Sequence, residues 1–144
     1  MDISSIKVEN ESNSKFWVLM VDNSTRFMRT FFLKKNRELY DKMRIALREI
    51  ERDNKKVKTI RCDNAGENRK LKKTLDLEAF NIKSEFTAPY TPQQNGVVER
   101  AFATLYGRVR ARLNGSGFDK RLREYLWAEC ASTATMLQNL IIKK

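Results

Sequence analysis

TAPYTPQQNGVVER, Thr87 to Arg100, is the stretch whose reading decides the fold. Pro89 and Pro92 restrict the entrance of a loop, Gly96 permits a hinge, and VVER reads as the first turn of a helix. The apolar positions Val97, Ala101, Phe102, Leu105, Val109 and Leu113 recur at helical spacing, and Gly115 stands just past the end as a stop. Glu99 lies in the first turn. An acid there is favoured by the helix dipole by about 0.3–1 kcal/mol, which is reason enough for a structural role. A structural helix start does not require so constrained a loop in front of it, however, and Tyr90, Gln94 and Asn95 are its candidate ligand contacts. The competing reading is a plain surface loop.

Upstream, NIKSEFTA is a strand leading into this loop, and VKTIRCD is another that ends at Asp63. A helix through Leu71, Leu75 and Leu77 is expected between them. Asn36 is positioned to cap RELYDKMRIALREIERD, whose stripe is Leu39, Met43, Ile45, Ala46, Leu47 and Ile50. The first 33 residues read as a three-stranded antiparallel meander of MDISSIKV, KFWVLMVD and RFMRTFFL, joined by the turns ENESNS and NST. KFWVLMVD is almost continuously apolar, as suits a strand buried on both faces. Its aromatics Phe16 and Trp17, like Phe27, Phe31 and Phe32 of the next strand, are expected in the core. Downstream, a last helix is expected from about Lys120 to Ile142. Three strands, helix, strand, helix, strand, helices is the order of an α/β domain with a mixed sheet of five strands flanked by helices.

Lysine and arginine outnumber aspartate and glutamate by 29 to 18, a formal net charge of +11, so the expected partner is a polyanion, with nucleic acid first. The chain has no histidine. That excludes histidine-based zinc sites, histidine general bases and Ser/His/Asp triads within it. Cys62 and Cys130 lie far apart without CxxC spacing, and no apolar run approaches membrane-spanning length, so a soluble intracellular domain with reduced thiols and no membrane partner is expected.

Carboxylates are then the plausible catalytic groups. Asp63 stands at the C-terminal end of a strand, where open α/β sheets build their sites, and 35 residues separate it from Glu99. Asp63 with Asn64 and Gly66 also suits an ordinary turn; the relation to Glu99 weighs against that. Carboxylates gathered at one sheet end repel unless a cation sits between them, and hard oxygen donors suit Mg²⁺. Arg100, Arg108, Arg110 and Arg112 follow Glu99 on its helix and are candidate phosphate contacts.

CDNAGEN at 62–68 followed by TAPYTPQQNGVVER resembles the catalytic core of retroviral and retrotransposon integrases, with their Asp, Asp, 35 residues, Glu signature. KFWVLMVDNSTRF, FFLKK and LWAE are similar to the copia-type branch of long-terminal-repeat retrotransposons. The resemblance spans essentially the whole chain. It implies an RNase H-like fold, two Mg²⁺ or Mn²⁺ ions, and joining of 3′-hydroxyl DNA ends to target DNA by transesterification. It implies catalytic and metal-binding roles for Asp63, Glu99 and a first aspartate, which is Asp2 in the first strand, with Asp22 in the second as the alternative. A hairpin turn centred near Ser12 sets these two opposite each other. Asn64, Tyr90, Gln94, Asn95, Arg100, Arg108 and Arg110 become expected DNA contacts. The family implies at least a dimer, acting in the nucleus after assembly in a cytoplasmic virus-like particle. Residues 1–144 are expected to be the core domain of a longer polyprotein, without the zinc-binding and C-terminal domains that accompany such cores. An RNase H-like nuclease and an inactive nucleic-acid-binding remnant are the alternatives.

Overall fold

The computed structural model describes residues 1–6, 13–63, 66, 70, 81–86 and 96–142. Strands β1 (Asp2–Ser5), β2 (Phe16–Val21) and β3 (Met28–Leu33) form the expected antiparallel meander, in the order β1-β2-β3. β4 (Thr59–Cys62) and β5 (Lys83–Phe86) pair in parallel as a second, two-stranded ladder. Of the expected five-stranded mixed sheet, the described residues show three antiparallel strands and two parallel ones. Between the two ladders the Met1 ammonium donates to the Arg61 carbonyl at 2.7 Å. One bond is not the repeated exchange that makes a ladder.

Each face of the sheet carries its own core. On one side Val18, Leu33, Ile60 and Cys62 pack against Leu39, Met43 and Leu47 of helix α1 (Leu39–Arg52). On the other, Trp17, Leu19 and Met28 pack against α2 (Gly96–Gly115) and α4 (Trp127–Ile142). Trp17, Val18 and Leu19 are all 0 % exposed, so β2 is buried on both faces as its apolar run requires. The Trp17 indole is the centre of the second core, edge-on to Phe102 at 5.2 Å and to Tyr106 at 4.8 Å. Fully burying one side chain of this class contributes about 1.5–3 kcal/mol, so this cluster anchors α2 firmly on the sheet.

Several local expectations are corrected. Asn36 opens a short 3₁₀ turn (Asn36–Glu38) instead of capping α1. Ile45 belongs to the solvent face of α1, 52 % exposed. In the first turn of α2 the buried valine is Val98 rather than Val97. The last helix is two: α3 (Lys120–Tyr125), capped by Asp119 accepting from the Leu122 N–H at 2.8 Å, and α4. The break at Leu126 lets Trp127 turn inward, edge-on to Phe32 at 5.3 Å. The expected helix through Leu71, Leu75 and Leu77 lies outside the described residues.

Candidate active site

β1 and β2 pair with Asp2 opposite Leu19, Ile3 opposite Val18 and Ser4 opposite Trp17. Side chains alternate between faces along a strand and cross-strand partners share a face. Asp2 and Ser4 therefore stand on the Leu19 and Trp17 side, where α2 packs, and Ile3 on the side of α1. This register corrects the expectation that Asp2 faces Asp22. Asp22 lies three positions beyond Leu19, past the end of β1, and alternation sends it to the α1 side. There its carboxylate organises the β2–β3 turn, accepting from the Ser24 N–H at 3.0 Å and the Thr25 hydroxyl at 2.6 Å. The Thr25 bond, above all, holds the Asp22 carboxyl below its usual range; burial opposes it, and Lys55, just past α1, adds a smaller pull downward.

Asp2 is half-buried and has its backbone neighbour for a partner, the Ile3 N–H donating to Oδ1 at 2.8 Å. Its carboxyl is raised above the ordinary range. Burial is the main cause, partly offset by the Ile3 hydrogen bond; the negative charge of Asp63 pushes it up further, the Met1 ammonium pulls it down and Glu99 adds a final push upward. Asp2 in β1 thus lies within electrostatic reach of carboxylates on two other elements, Asp63 directly after β4 and Glu99 in the first turn of α2. Asp63 and Glu99 are exposed, so the site opens to solvent. Among the described residues no three histidine, cysteine, aspartate or glutamate side chains stand close enough together to hold a metal ion.

A residue that sequence reading missed ties α2 to β1 beside these acids. The Tyr106 hydroxyl donates to Ser4 Oγ at 2.8 Å. Burial raises the Tyr106 pKa, the Ser4 bond lowers it and the Asp2 charge raises it again. The signal was available: Tyr106 follows Glu99 by seven residues, about two helical turns, and so shares its side of α2. Cys62 packs beside Asp63, 2 % exposed, and burial pushes its thiol up to about 11, leaving it an inert core group.

The arginines divide by helical geometry. Arg100 folds back over the start of α2, where a Cβ on Gly96 would stand 3.1 Å from an Arg100 Nη, so the glycine allows that approach. A cation at a helix N-terminus opposes the macrodipole, and an anion between the two is the arrangement that relieves it. Arg110 follows Glu99 by eleven residues, about three turns, and shares its side; Arg108, nine residues on, lies about half a turn away. Asn64, Tyr90, Gln94 and Asn95 lie outside the described residues. No described helix is long and apolar enough to cross a membrane.

No protein-family model matches the chain. It is 29 % identical over 135 residues to the retrovirus-related Pol polyprotein from transposon TNT 1-94 of Nicotiana tabacum, a match covering 93 % of this chain and 10 % of that polyprotein. Its fold is similar to that of a chain in the cryo-electron-microscopy structure of the simian T-cell lymphotropic virus intasome in complex with PP2A regulatory subunit B56 gamma. There the TM-score is 0.65 at 14 % identity, covering 93 % of this chain and 45 % of that one. The chain therefore spans about a tenth of the relative and under half of the structural neighbour. The first finding bears out the resemblance to a retrotransposon Pol polyprotein, and the second a likeness in fold to a chain of a retroviral intasome.

Proposed function

We propose that this chain is the catalytic core of a retrotransposon integrase, which joins the 3′-hydroxyl ends of the element's DNA to target DNA by transesterification. The observation that supports this reading best is that Asp2 lies within electrostatic reach of both Asp63 and Glu99, whose negative charges push its carboxyl upward. Like charges converge at a cost unless a cation is to lie between them. The donor set is all carboxylate oxygen, with no histidine in the chain, which fits Mg²⁺ or Mn²⁺ and not a softer ion. Asp2, Asp63 and Glu99 would hold two such ions, which when bound neutralise charge at the phosphoryl centre and acidify the attacking hydroxyl or water.

The chain's own groups supply the rest. The Ile3 N–H fixes Asp2 through Oδ1, which leaves Oδ2 free to turn toward the site. The Tyr106–Ser4 bond holds α2 against β1 and so sets Glu99 relative to Asp2. Arg100 and the first amides of α2 present positive charge to a phosphate, and Arg110 extends this along the helix by about 15 Å. Such contacts position a backbone without reading sequence, as insertion into many targets requires. On this reading the strands are those of an RNase H-like sheet ordered β3-β2-β1-β4-β5, and the Met1–Arg61 bond marks where β1 and β4 run side by side. The first aspartate is Asp2, not Asp22. Residues 1–144 are then one domain of a polyprotein that acts in the nucleus as a dimer or larger assembly after packaging in a virus-like particle.

Strand joining and disintegration of branched DNA, with Mg²⁺ or Mn²⁺, test this. Activity is expected to fall by orders of magnitude in Asp2→Asn, Asp63→Asn and Glu99→Gln while each variant still folds, and to survive in Asp22→Asn. Retained joining in Glu99→Gln refutes the assignment. Cutting without joining identifies a nuclease instead.

A further inference from the structure

β3 is the outer strand of its ladder, and its hydrogen bonds show which of its groups face outward. Asp22 N–H donates to the Phe27 carbonyl at 2.9 Å, so Phe27, Arg29, Phe31 and Leu33 direct their backbone groups toward β2. Met28, Thr30 and Phe32 direct theirs away. At Met28 the outward groups are occupied, because the Asn139 side chain of α4 accepts from the Met28 N–H at 2.8 Å and donates to its carbonyl at 2.8 Å. Among the described residues nothing occupies the outward N–H and C=O of Thr30 and Phe32. Four backbone groups in a row are thus left as a short template for another strand.

Beside that template lies a groove of about 400 Å³ lined by Phe32 of β3 and by Ala128, Glu129, Ser132 and Thr133 of α4. Its lining thus combines an aromatic ring with a carboxylate and two hydroxyls. Glu129 makes no ion pair among the described residues, although the chain carries a net charge of +11. A cationic side chain laid across the Phe32 ring toward Glu129 satisfies both surfaces.

We propose that β3 and α4 together form a docking groove for an extended segment of a partner protein, which adds to the sheet as an antiparallel strand beside Thr30 and Phe32. The residue of that segment opposite Phe32 exchanges two backbone bonds with it and shares its face. Its side chain therefore enters the groove and is a lysine or arginine. The residue two further on, opposite Thr30, faces the flank of α4 and is small. Asn139 ends the added strand at Met28. Main-chain bonds supply the affinity here and one side-chain position the selectivity, as in other cases of strand addition.

The probe is a fluorescein-labelled, end-capped pentapeptide with lysine at its second position and alanine at its fourth, titrated with the whole chain by polarisation and by amide NMR. Saturable binding is expected, with slower exchange of the Thr30 and Phe32 amide hydrogens and an unchanged Met28 amide, which is already bonded. Glu129→Gln should weaken binding about two- to fivefold. Ser132→Arg, at an exposed position, should abolish it by filling the groove with a competing cation. The same peptide N-methylated at lysine and alanine should not bind. Absence of saturable binding, equal binding of the N-methylated peptide, or no change in Glu129→Gln overturns the proposal. So does a self-associated parent in which the Thr30 and Phe32 amides are protected before any peptide is added, because the edge then belongs to a second copy.

Discussion

Asp2→Asn is expected to stabilise the protein while disabling it. The substitution keeps Oδ1 as acceptor for the Ile3 N–H and removes a half-buried charge that faces Asp63 and Glu99. Like charges within electrostatic reach of one another near a protein surface repel by about 1 kcal/mol. Asp63 and Glu99 are exposed, and solvent screening reduces the sum over both to about 1 kcal/mol. For a chain of 144 residues that raises Tm by about 3 °C. Calorimetry at pH 7 and low salt with chelator present measures it. Adding MgCl₂ should then raise the Tm of the parent, by about 1.4 kcal/mol of binding free energy at ten times Kd, and move the variant much less. The pH dependence follows with a definite sign. The folded Asp2 pKa lies above the ordinary 3.8, so the native state holds the proton more tightly and the parent gains stability as pH falls from the raised value toward 3.8. The variant lacks that gain. Below 3.8 both lose stability as Asp22, held low in the fold, takes up its proton. A variant that melts below the parent at pH 7, or that responds to Mg²⁺ as the parent does, refutes the charge repulsion argued above.

Tyr106→Phe removes the hydroxyl bond to Ser4 and should cost about 1 kcal/mol by chemical denaturation, with the Mg²⁺ midpoint of strand joining moved upward because Glu99 is less firmly set. Arg110→Ala should lower DNA affinity and reduce the slope of log K against log salt by about 1, whereas Arg108→Ala, half a turn away, should leave the slope unchanged in a fluorescence titration between 50 and 200 mM salt, concentrations at which phosphate contacts dominate. Asn139→Ala strips both partners from the Met28 backbone and should destabilise the chain by about 2 kcal/mol in urea while increasing light scattering on heating, since a longer strand edge is bared.

What could be read in advance was what depends on periodicity. β2, α1 and α2 announce themselves by apolar recurrence, and Asp63 and Glu99 were placed because each sits next to such an element. The register of β1 on β2 was not legible, since the polar run ENESNS admits several turn centres and the hydrophobic pattern of a strand as short as Asp2–Ser5 does not choose among them. A shift of three residues from the expected pairing moved Asp22 to the opposite face and left Asp2 alone on the side of Glu99. The break at Leu126 was hidden for another reason: the apolar stripe continues through it, and no residue that stops a helix marks the place. Tyr106 was passed over because a tyrosine at core spacing reads as packing, while its hydroxyl carries the contact that matters.

Asp2 and Glu99 are 97 positions apart, with Asp63 between them, and each depends on a different partner for its place. β1 needs β2; Asp63 needs β4 beside β1; Glu99 needs α2 seated on the Trp17 indole, a contact that links residue 17 to residues 102 and 106. No local stretch of the chain carries even two of the three acids. On the proposed reading a ribosome-bound or partly folded chain is therefore chemically silent however much secondary structure it holds, because the three acids approach one another only after long-range closure, the slowest class of contact to form. If the chain joins DNA as proposed, it is in this way kept harmless until its synthesis and folding have passed α2.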